Sequence, residues 1–332
     1  MKKIIVVLLI ALVVITGCSK KEEVKKRDNS DKKETGLVKN NYVSYHGNLK
    51  LKGVNLVNEH EEKVQLKGVS SHGLQWFNYL ITEDNIKTLK NWGSNVFRLA
   101  MYTIDGGYIN NNDIYNDLIK DIDLVIDNDM YVVVDWHILN DNNPNINKEE
   151  AKKFFEKITS KYKNTPNIIY EICNEPNGNT TWSDVKSYAD EIIPIIRKNS
   201  KSIIIVGTPT WSQDVDSVIG NELKYDNIMY ALHFYSGTHK EFLREKAKKA
   251  LDNNIPIFVS EFGVSDASGN GGVYLDEANT WMDFINKNNL SYINWSLADK
   301  DESSALLKPN NKTINDDVLS ESGKFIKEQL AK

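Results

Sequence analysis

Cysteine is scarce in this sequence: Cys18 and Cys173 are the two cysteines among 332 residues. Two cysteines cannot form the disulfide framework of a small secreted module, so that class of protein is excluded. The chain also lacks paired Cys-x-x-Cys and His-Glu-x-x-His motifs, and we therefore expect no metal centre and no other cofactor. No Gly-x-Ser-x-Gly nucleophile elbow is present, which excludes a common class of esterases.

Excess positive charge is missing as well. The formal net charge is −5, and because the first 40 residues carry +5, residues 41–332 carry −10. A body with this acidity lacks the broad positive field that binds phosphate backbones, so we expect no nucleic-acid partner. Hydrophobic residues make up 40% and charged residues 26% of the chain, which is typical of a globular protein.

Long apolar runs are limited to one, at residues 4–15 near the amino terminus. This run follows Lys2 and Lys3 and is shorter than the roughly 20 residues that span a membrane, so it is typical of a secretory signal. The small residues before Cys18 resemble the lipobox of bacterial lipoproteins, in which the cysteine becomes the lipidated amino terminus. The pattern predicts a lipoprotein signal peptide over residues 1–17 and lipidation of Cys18. A plain secretory signal with an incidental cysteine is the alternative.

The next segment, residues 18–40, is rich in charged residues and has almost no large apolar ones. Such a composition cannot bury a core, so we interpret it as a charged linker between a lipid anchor and one folded domain over residues 41–332. These features predict an extracytoplasmic protein attached to the bacterial cell membrane or surface through its N-terminal lipid alone. The envelope type of the host stays open.

Beyond residue 60, short β-rich runs alternate with amphipathic stretches at a spacing of about 32 residues, the size of one βα unit. Several runs are apolar throughout, as in strands buried on both faces of a parallel sheet. The predicted strands are residues 64–70, 95–100, 130–136, 168–174, 203–208, 228–234, 256–261 and 291–296. The predicted helices are residues 82–92, 113–128, 148–162, 182–198, 240–253, 274–288 and 316–330.

Eight strands in alternation with helices predict the α/β class and a single closed (β/α)8 TIM barrel. An open doubly wound sheet is the alternative, but residues 68–73 lack the Gly-rich turn that it needs after its first strand. Residues 49–56, ahead of the first strand, predict a small N-terminal β-hairpin at the bottom of the barrel. No second domain is indicated.

Reactive residues of such barrels lie where strands end, and here these points are rich in polar and aromatic residues. Glu175 follows one apolar strand and Glu261 ends another. A carboxylate at the end of a buried strand needs a partner or a function. Two carboxylates among Trp, His and Tyr side chains favour glycoside cleavage, in which one carboxylic acid protonates the leaving oxygen while the other carboxylate attacks or activates water.

Eight ordered motifs resemble glycoside hydrolase family 5, and in detail its bacterial endo-β-1,4-glucanase (cellulase) branch. They are residues 68–76 (GVSSHGLQW), 95–102 (NVFRLAMY), 133–137 (VVDWH), 169–176 (IYEICNEP), 205–213 (IVGTPTWSQ), 233–239 (HFYSGTH), 259–263 (VSEFG) and 294–300 (NWSLADK). The resemblance extends from about residue 42 to the carboxyl terminus. It implies a TIM barrel that acts on a polysaccharide.

By this resemblance, Glu175 matches the general acid/base (the proton donor) and Glu261 matches the nucleophile. The resemblance implies a retaining mechanism through a covalent glycosyl-enzyme intermediate, with the two carboxyl groups about 5–5.5 Å apart. Glu175 would hold a proton at the working pH, and Glu261 would stay ionised.

Further matches imply substrate binding or orientation of the two carboxylates. Arg98 and Tyr235 match residues that hydrogen-bond the nucleophile, and Asn174 matches the residue that binds the sugar 2-hydroxyl. His137 and His233 match histidines that orient substrate and tune the acid/base. Trp295 is expected to lie under the sugar at the cleavage point. The implied substrate-binding residues are His72, Trp76, Arg98, Tyr102, His137, Asn174, Trp211, Gln213, His233, Tyr235, Trp295, Lys300 and Glu302.

Other conspicuous residues are expected to be structural. Asp135 and Glu171 are expected to be buried in hydrogen bonds to neighbouring strands, and Cys173 to be a buried free thiol. Three tryptophans fall on predicted helices and are expected to pack there, namely Trp92, Trp182 and Trp281.

The implied function is endo-acting, retaining hydrolysis of β-1,4-glucosidic bonds in cellulose-like or mixed-linkage β-glucans. The expected partner is therefore a β-glucan polysaccharide or oligosaccharide, bound by a monomer. A mannanase or xylanase on the same barrel stays an alternative, because the catalytic pair does not select the sugar. A non-catalytic sugar-binding lipoprotein is a second alternative, although it would not need both carboxylates.

Overall fold

The computed structural model describes residues 42–332 of the chain. The predicted signal peptide (residues 1–17), the lipidation site Cys18 and the charged linker (residues 18–40) lie outside the described residues and stay predictions. Between residues 42 and 332, no helix has both the length and the apolar character that crossing a membrane requires.

Eight parallel strands close into a barrel in which each strand pairs with the next along the chain and the last pairs with the first. Two further strands of the described chain form an N-terminal hairpin. The hairpin strands are β1 (Lys50–Lys52) and β2 (Asn55–Val57), and the barrel strands are β3 (Lys67–Ser71), β4 (Val96–Tyr102), β5 (Tyr131–His137), β6 (Ile168–Glu171), β7 (Ile204–Val206), β8 (Ile228–Tyr235), β9 (Ile257–Gly263) and β10 (Tyr292–Leu297). The predicted (β/α)8 TIM barrel is confirmed, and every predicted strand overlaps a barrel strand.

Burial on both faces explains why the barrel strands are apolar throughout. In β5, Val133 packs in the apolar cluster inside the barrel, whereas Val132 and Val134 pack in the cluster shared with the helices. Because successive side chains of a strand point to opposite faces, alternation of polar and apolar residues would place polar groups in one of these clusters.

The helices cover the outside of the barrel. They are Glu83–Asn91, Ile114–Asp127, Lys148–Lys161, Trp182–Arg197, Glu241–Asp252, Leu275–Lys287 and Glu321–Leu330. The connecting segments hold short helices at Val43–His46 and Leu74–Phe77 and 3-10 turns at Asn78–Leu80, Val215–Val218 and Asp316–Val318. The segment Pro209–Ser212 is a turn with left-handed residues rather than a regular helix. The tryptophans predicted to pack are buried in this layer. Cys173 is buried and free, as expected.

The predicted helix over residues 316–330 is wrong in its first third, residues 316–320. A 3-10 turn at Asp316–Val318 precedes a separate helix that begins after Ser320. The Ser320 hydroxyl donates to Ala305 O (2.6 Å) and accepts from Gly323 N (2.9 Å), so it anchors the chain to the preceding loop and caps the new helix. A helix through this serine would lose both bonds.

The N-terminal hairpin closes the bottom of the barrel, as predicted. Leu49, Leu56 and Val64 pack against Tyr131 and Phe258 in the inner apolar cluster. The interior at the carboxyl ends of the strands is different, because buried polar side chains occupy it. The fold therefore places its apolar plug at one end and a polar site at the other.

Candidate active site at the carboxyl end of the barrel

A cleft of about 850 Å³ opens where the barrel strands end. The last residues of three strands line it: Tyr102 of β4, His137 of β5 and Tyr235 of β8. Other predicted site residues that line the cleft are Glu175, Glu261, His72, Trp76, Trp211, Gln213, His233, Trp295, Lys300 and Glu302. The two that remain, Arg98 and Asn174, are buried beneath it.

Arg98 lies at the centre of a buried ionic network under the cleft. Its Nε donates to Glu171 Oε2 (2.7 Å), its Nη1 to Glu261 Oε2 (3.1 Å) and its Nη2 to Asn174 Oδ1 (2.6 Å). Nη2 also lies 3.0 Å from Asp135 Oδ2. Burial by itself would lower the pKa of Arg98, but the three carboxylates hold it above its ordinary value. One planar, permanently charged donor therefore orients several acceptors at once.

Glu261 is held by two donors, one for each carboxylate oxygen. The Tyr235 hydroxyl donates to Oε1 (2.7 Å), and Arg98 donates to Oε2 (3.1 Å). Burial and the nearby Glu261 charge raise the pKa of Tyr235 well above its ordinary value, so the phenol keeps the proton that it donates. The carboxylate is thus oriented and its charge is balanced at the edge of the cleft.

Glu175 has a different environment. Its Oε1 lies 2.9 Å from His233 Nδ1. Burial raises the pKa of Glu175 to about 7, and the nearby Glu261 charge acts in the same direction. A carboxyl group with this pKa holds a proton near neutral pH and can release it during a reaction, which is the requirement for a general acid.

The two carboxyl groups lie close together across the cleft. One carboxylate oxygen of Glu175 and one of Glu261 are within 4.8 Å of each other. Retaining glycosidases hold their carboxyl groups about 5–5.5 Å apart, whereas inverting enzymes leave about 6.5–9.5 Å for a water molecule. The separation fits direct attack by one carboxylate on the sugar.

Ser260 and Glu171 continue the hydrogen bonds of His233 into the barrel interior. Ser260 Oγ donates to Glu171 Oε1 (2.6 Å) and lies 2.9 Å from His233 Nε2. Burial would raise the pKa of Glu171, but Arg98 above all holds it at about 2. The prediction that Glu171 bonds neighbouring strands is wrong, because its inward side chain reaches across the barrel to β4 and β9.

His137 and Asn174 orient each other beside this network. His137 Nδ1 lies 2.6 Å from Asp135 Oδ2, and its Nε2 lies 3.3 Å from Asn174 Nδ2. Burial, together with the charge of Arg98, lowers the pKa of His137 to about 3, so the ring is neutral. A neutral ring that donates from Nδ1 to Asp135 accepts at Nε2 from the Asn174 amide.

An aromatic wall forms one side of the cleft. The rings of His72 and Trp295 are 4.9 Å apart, and those of Trp76 and Tyr102 are 5.0 Å apart. Trp295 also stacks on His137, with an interplanar angle of 18°. Trp76 is 45% exposed and Trp295 only 6%, so the wall extends from the cleft floor to its rim. Flat apolar surfaces of this kind suit the faces of pyranose rings.

Trp211 stands on a turn with left-handed backbone. Thr210, Trp211 and Ser212 have φ angles of 58°, 53° and 56°, a conformation that side chains with a Cβ rarely adopt. Ser212 Oγ donates to Asn174 O (2.7 Å), and Trp211 N donates to Pro176 O (3.0 Å). These bonds tie the turn to the loop after β6 and present the half-exposed Trp211 ring to the cleft.

Lys300 and Glu302 form an ion pair on another side of the cleft. Glu302 Oε1 accepts from Ser304 Oγ (3.1 Å), and Ser304 N donates to Gly269 O (2.9 Å). A Cβ on Gly269 would lie 2.1 Å from Glu302 Oε1. That oxygen ends a flexible side chain and could move, but the φ of Gly269, 80°, itself favours glycine, and the Ser304–Gly269 bond joins the two loops into one wall.

Several cleft residues were not predicted from the sequence. They lie on loops after the barrel strands and are Asp105, Leu139, Asn140, His239, Ala267, Ser268 and Gly269. Most have no local signal, because loop packing brings them to the cleft. His239 could have been found, since it ends the 233–239 motif, and so could Ser260, which precedes Glu261 in the 259–263 motif.

One group in the described part of the chain could offer three metal ligands: Glu175, His233 and Glu261 have ligand atoms within 4.8 Å of one another. However, Glu175 Oε1 and His233 Nδ1 share a hydrogen bond, and both Glu261 oxygens accept from Arg98 and Tyr235. A cation would have to displace these bonds beside a guanidinium. The donor set fits proton transfer better than metal binding.

Comparison with known proteins identifies relatives along most of the chain. The cellulase family, glycosyl hydrolase family 5, matches residues 57–301. An endoglucanase of Clostridium saccharobutylicum is 51% identical over 295 residues, which cover 87% of this chain and 66% of that protein. Endoglucanase N of Pectobacterium atrosepticum is 48% identical over 294 residues, with coverage of 87% and 66%. The chain thus spans slightly less than two thirds of the length of these relatives.

Solved structures share the fold. The cellulase Cel5C_n has a TM-score of 0.85 and 48% identity, and the alignment covers 87% of this chain and 94% of that one. The catalytic domain of Thermobifida fusca endoglucanase Cel5A has a TM-score of 0.85 and 33% identity, with coverage of 87% and 99%. Because the family match spans most of the barrel and these relatives align along most of the chain, the chain belongs to the cellulase family, glycosyl hydrolase family 5.

Proposed function

We propose that the chain is a retaining endo-β-1,4-glucanase that hydrolyses cellulose-like or mixed-linkage β-glucans. The observation that carries the proposal is the pair of carboxyl groups, Glu175 and Glu261, which lie within 4.8 Å in one cleft but in opposite electrostatic settings. A raised pKa suits Glu175 to carry a proton, and two donors suit Glu261 to attack as an anion.

In the first step, Glu261 attacks the anomeric carbon of the bound sugar, and the bond to the leaving glycosidic oxygen breaks. Glu175 gives its proton to that oxygen, which departs as a hydroxyl of the released chain. The product is a glycosyl ester on Glu261. Arg98 and Tyr235 orient the attacking carboxylate, so little reorganisation is needed as the bond forms.

In the second step, Glu175 is a carboxylate and takes a proton from water, whose oxygen attacks the same carbon and releases Glu261. Two displacements at one carbon retain its configuration. Burial would lower the pKa of His233, but the nearby carboxylates of Glu171 and Glu175 raise it to about 9. The resulting imidazolium stabilises the Glu175 carboxylate between the two steps.

The aromatic wall and the relatives together support a β-1,4-glucan as the substrate. Trp76, Trp295 and Trp211 offer ring surfaces along the cleft for successive sugars. The two curated relatives described above are named endoglucanases, and neither carries the name of a mannanase or xylanase. A non-catalytic sugar-binding role would not require the raised pKa of Glu175 or the two hydrogen-bond donors that hold Glu261.

The substitution Glu261→Gln tests the proposal. It removes the attacking charge while keeping the shape of the side chain, so we expect turnover to fall on the order of 10⁴-fold or more with the thermal unfolding midpoint nearly unchanged. Reducing ends released from carboxymethylcellulose, barley β-glucan, mannan and xylan give the measurement. NMR of the first products should show the β-anomer.

The matched control is Glu156→Gln, on the exposed face of the Lys148–Lys161 helix, which should retain wild-type rates. Normal turnover by Glu261→Gln would contradict the assignment of the nucleophile. If the wild type preferred mannan or xylan, the proposed β-1,4-glucan substrate would be contradicted. If α-anomers were the first products, the retaining mechanism would be contradicted.

The organisation of the whole chain is proposed on the sequence alone. The signal peptide of residues 1–17 would be removed, Cys18 would carry the lipid, and residues 18–40 would form the linker. Residues 41–332 would then act as one monomeric catalytic domain outside the cytoplasm, attached to the membrane through the lipid.

A further inference from the structure

A chain of three hydrogen bonds leads from Glu175 into the barrel interior. It joins Glu175 Oε1 to His233 Nδ1 (2.9 Å), His233 Nε2 to Ser260 Oγ (2.9 Å) and Ser260 Oγ to Glu171 Oε1 (2.6 Å). All four residues are buried. Arg98 Nε holds the other Glu171 oxygen at 2.7 Å, so the inner end of the chain is fixed.

The direction of these bonds follows from the single proton of the serine hydroxyl. A separation of 2.6 Å is typical of a hydroxyl that donates to a carboxylate. Glu171 is ionised, because Arg98 above all holds its pKa at about 2 against the effect of burial. Ser260 Oγ can therefore only accept from His233 Nε2, which must carry a hydrogen in both the neutral ring and the imidazolium.

The other ring nitrogen is the one that meets the acid/base. Nδ1 of His233 faces Glu175 Oε1, and it can accept a proton when the ring is neutral or donate one when the ring is charged. Glu175 changes its protonation state twice in each proposed cycle, so its partner must suit both forms. A ring held at Nε2 can do so without turning.

We propose that Ser260 is a positioning residue for the acid/base Glu175, an inference that rests on the proposed function. Its hydroxyl holds His233 in one tautomer and one ring orientation, so that Nδ1 faces Glu175 throughout the cycle. Without the hydroxyl, the neutral ring can carry its hydrogen on Nδ1 instead or can turn. Glu175 then loses the partner that aligns its carboxyl group with the glycosidic oxygen.

The charged and titratable groups that act on His233 come from several elements. They are Glu171 of β6, Glu175 of the following loop, Glu261 of β9, Asp135 and His137 of β5, and His239 after β8. The carboxylates attract a proton to the ring. The other two histidines are neutral near pH 7, because burial lowers their pKa values to about 3 and about 4. Ser260 is uncharged, so its replacement leaves all of these charges in place.

Two substrates that differ in their leaving group test the proposal in the variant Ser260→Ala. A cello-oligosaccharide releases a sugar hydroxyl, which needs a proton. A positioned general acid contributes about 100- to 10,000-fold to the rate. Ser260→Ala keeps the acid Glu175 but loosens its position, so we expect only part of this contribution to be lost and kcat/KM for this substrate to fall on the order of tenfold. The substrate 2,4-dinitrophenyl β-cellobioside releases a phenolate that needs no proton, so we expect its kcat/KM to stay within about twofold of the wild type.

Two further variants separate positioning from a general loss of structure. Ser260→Thr keeps the hydroxyl and should recover most of the cello-oligosaccharide activity. Ser94→Ala removes a buried serine bond to Val96 O (2.9 Å) at the start of β4, far from the cleft, and should leave both rates unchanged. Equal losses of Ser260→Ala on both substrates, or no loss on either, would overturn the proposal. A wild type that cleaves neither substrate would instead contradict the proposed function.

Nitrogen-15 NMR gives a second measurement, made on the wild-type protein with one variant used only for assignment. The chain has six histidines, so the His233 ring can be identified by its absence from the spectrum of a His233→Gln protein. We expect His233 to show a hydrogen on Nε2 at every pH, as the imidazolium or as the Nε2–H tautomer. A neutral Nδ1–H tautomer would overturn the proposal.

Discussion

At Glu261, a guanidinium and a phenol donate to the two carboxylate oxygens, whereas Glu175 meets an imidazole at one oxygen and the cleft elsewhere. The same functional group is thereby suited to two tasks. Arg98 serves Glu261 directly and Glu175 indirectly, because it fixes Glu171 at the inner end of the Ser260 hydrogen bonds. The environments of the two carboxyl groups therefore depend on a residue that they share, Arg98.

The raised pKa of Glu175 predicts how activity depends on pH. In the proposed mechanism the acid form is the active form in the first step, and it is lost as pH rises through a pKa of about 7 rather than through the ordinary value of 4.5. We expect kcat/KM for a cello-oligosaccharide to fall about tenfold per pH unit above that value. With the dinitrophenyl substrate, which needs no acid, this decline should be absent. A shared decline on both substrates would assign the titration to another group.

At the scale of the elements, the two ends of the barrel have separate tasks. The hairpin and the amino ends of the strands form an apolar plug, in which Leu56 packs with Val96 and Tyr131. The carboxyl ends and the loops after them carry the cleft. Strain is located there too, in the left-handed turn that bears Trp211. Bonds from Ser212 and Trp211 to the loop after β6 hold that turn in place.

Leu56→Ala should reveal this division. Leu56 is 2% exposed, and its loss leaves a cavity in the plug, so we expect the free energy of unfolding to fall by about 2–4 kcal/mol. Because the plug lies at the end opposite the cleft, kcat/KM at a temperature well below unfolding should not change. Urea unfolding and initial rates give the two measurements.

Lys52→Ala is the matched control on the same hairpin. Its side chain is exposed and pairs with Glu61, so the change in stability should stay within about 0.5 kcal/mol. A loss of activity in Leu56→Ala at a temperature where the protein is folded would show that the plug also shapes the cleft.

At the scale of the whole molecule, a basic N-terminal segment precedes an acidic body, with +5 on the first 40 residues and −10 on the remainder. The acidic body disfavours contact with anionic lipid surfaces. Under the proposed organisation, a lipid on Cys18 would supply the attachment and the charged linker would separate the catalytic domain from the membrane. A tethered hydrolase would then act on glucans close to the cell.

Lipidation is tested by labelling cells with radioactive palmitate. The protein made in its host should take up label, and Cys18→Ala should not, because the proposed attachment site is lost. Cys173→Ala is the matched control and should stay labelled, since Cys173 is buried in the barrel. Equal labelling of the wild type and Cys18→Ala would contradict the anchor.

The barrel and most of the cleft could be predicted from the sequence because their signals are local. Apolar runs at regular spacing mark strands that are buried on both faces, and the ends of those strands mark the positions of Glu175, Glu261 and their aromatic neighbours. The break before Ser320 was missed because the bond that causes it reaches back to Ala305, outside any helical pattern.

The sequence by itself determined the fold, the family resemblance and the identity of the paired carboxyl groups. Only the tertiary structure decided which groups share a proton or a charge. Arg98 and Glu261 are 163 positions apart in the chain, and Glu171 and Ser260 are 89 apart. No local pattern records such distances, since a closed barrel brings the inward side chains of non-adjacent strands together. Burial among those side chains raises the pKa of Glu175, and the extent of this burial follows only from the structure of the closed barrel.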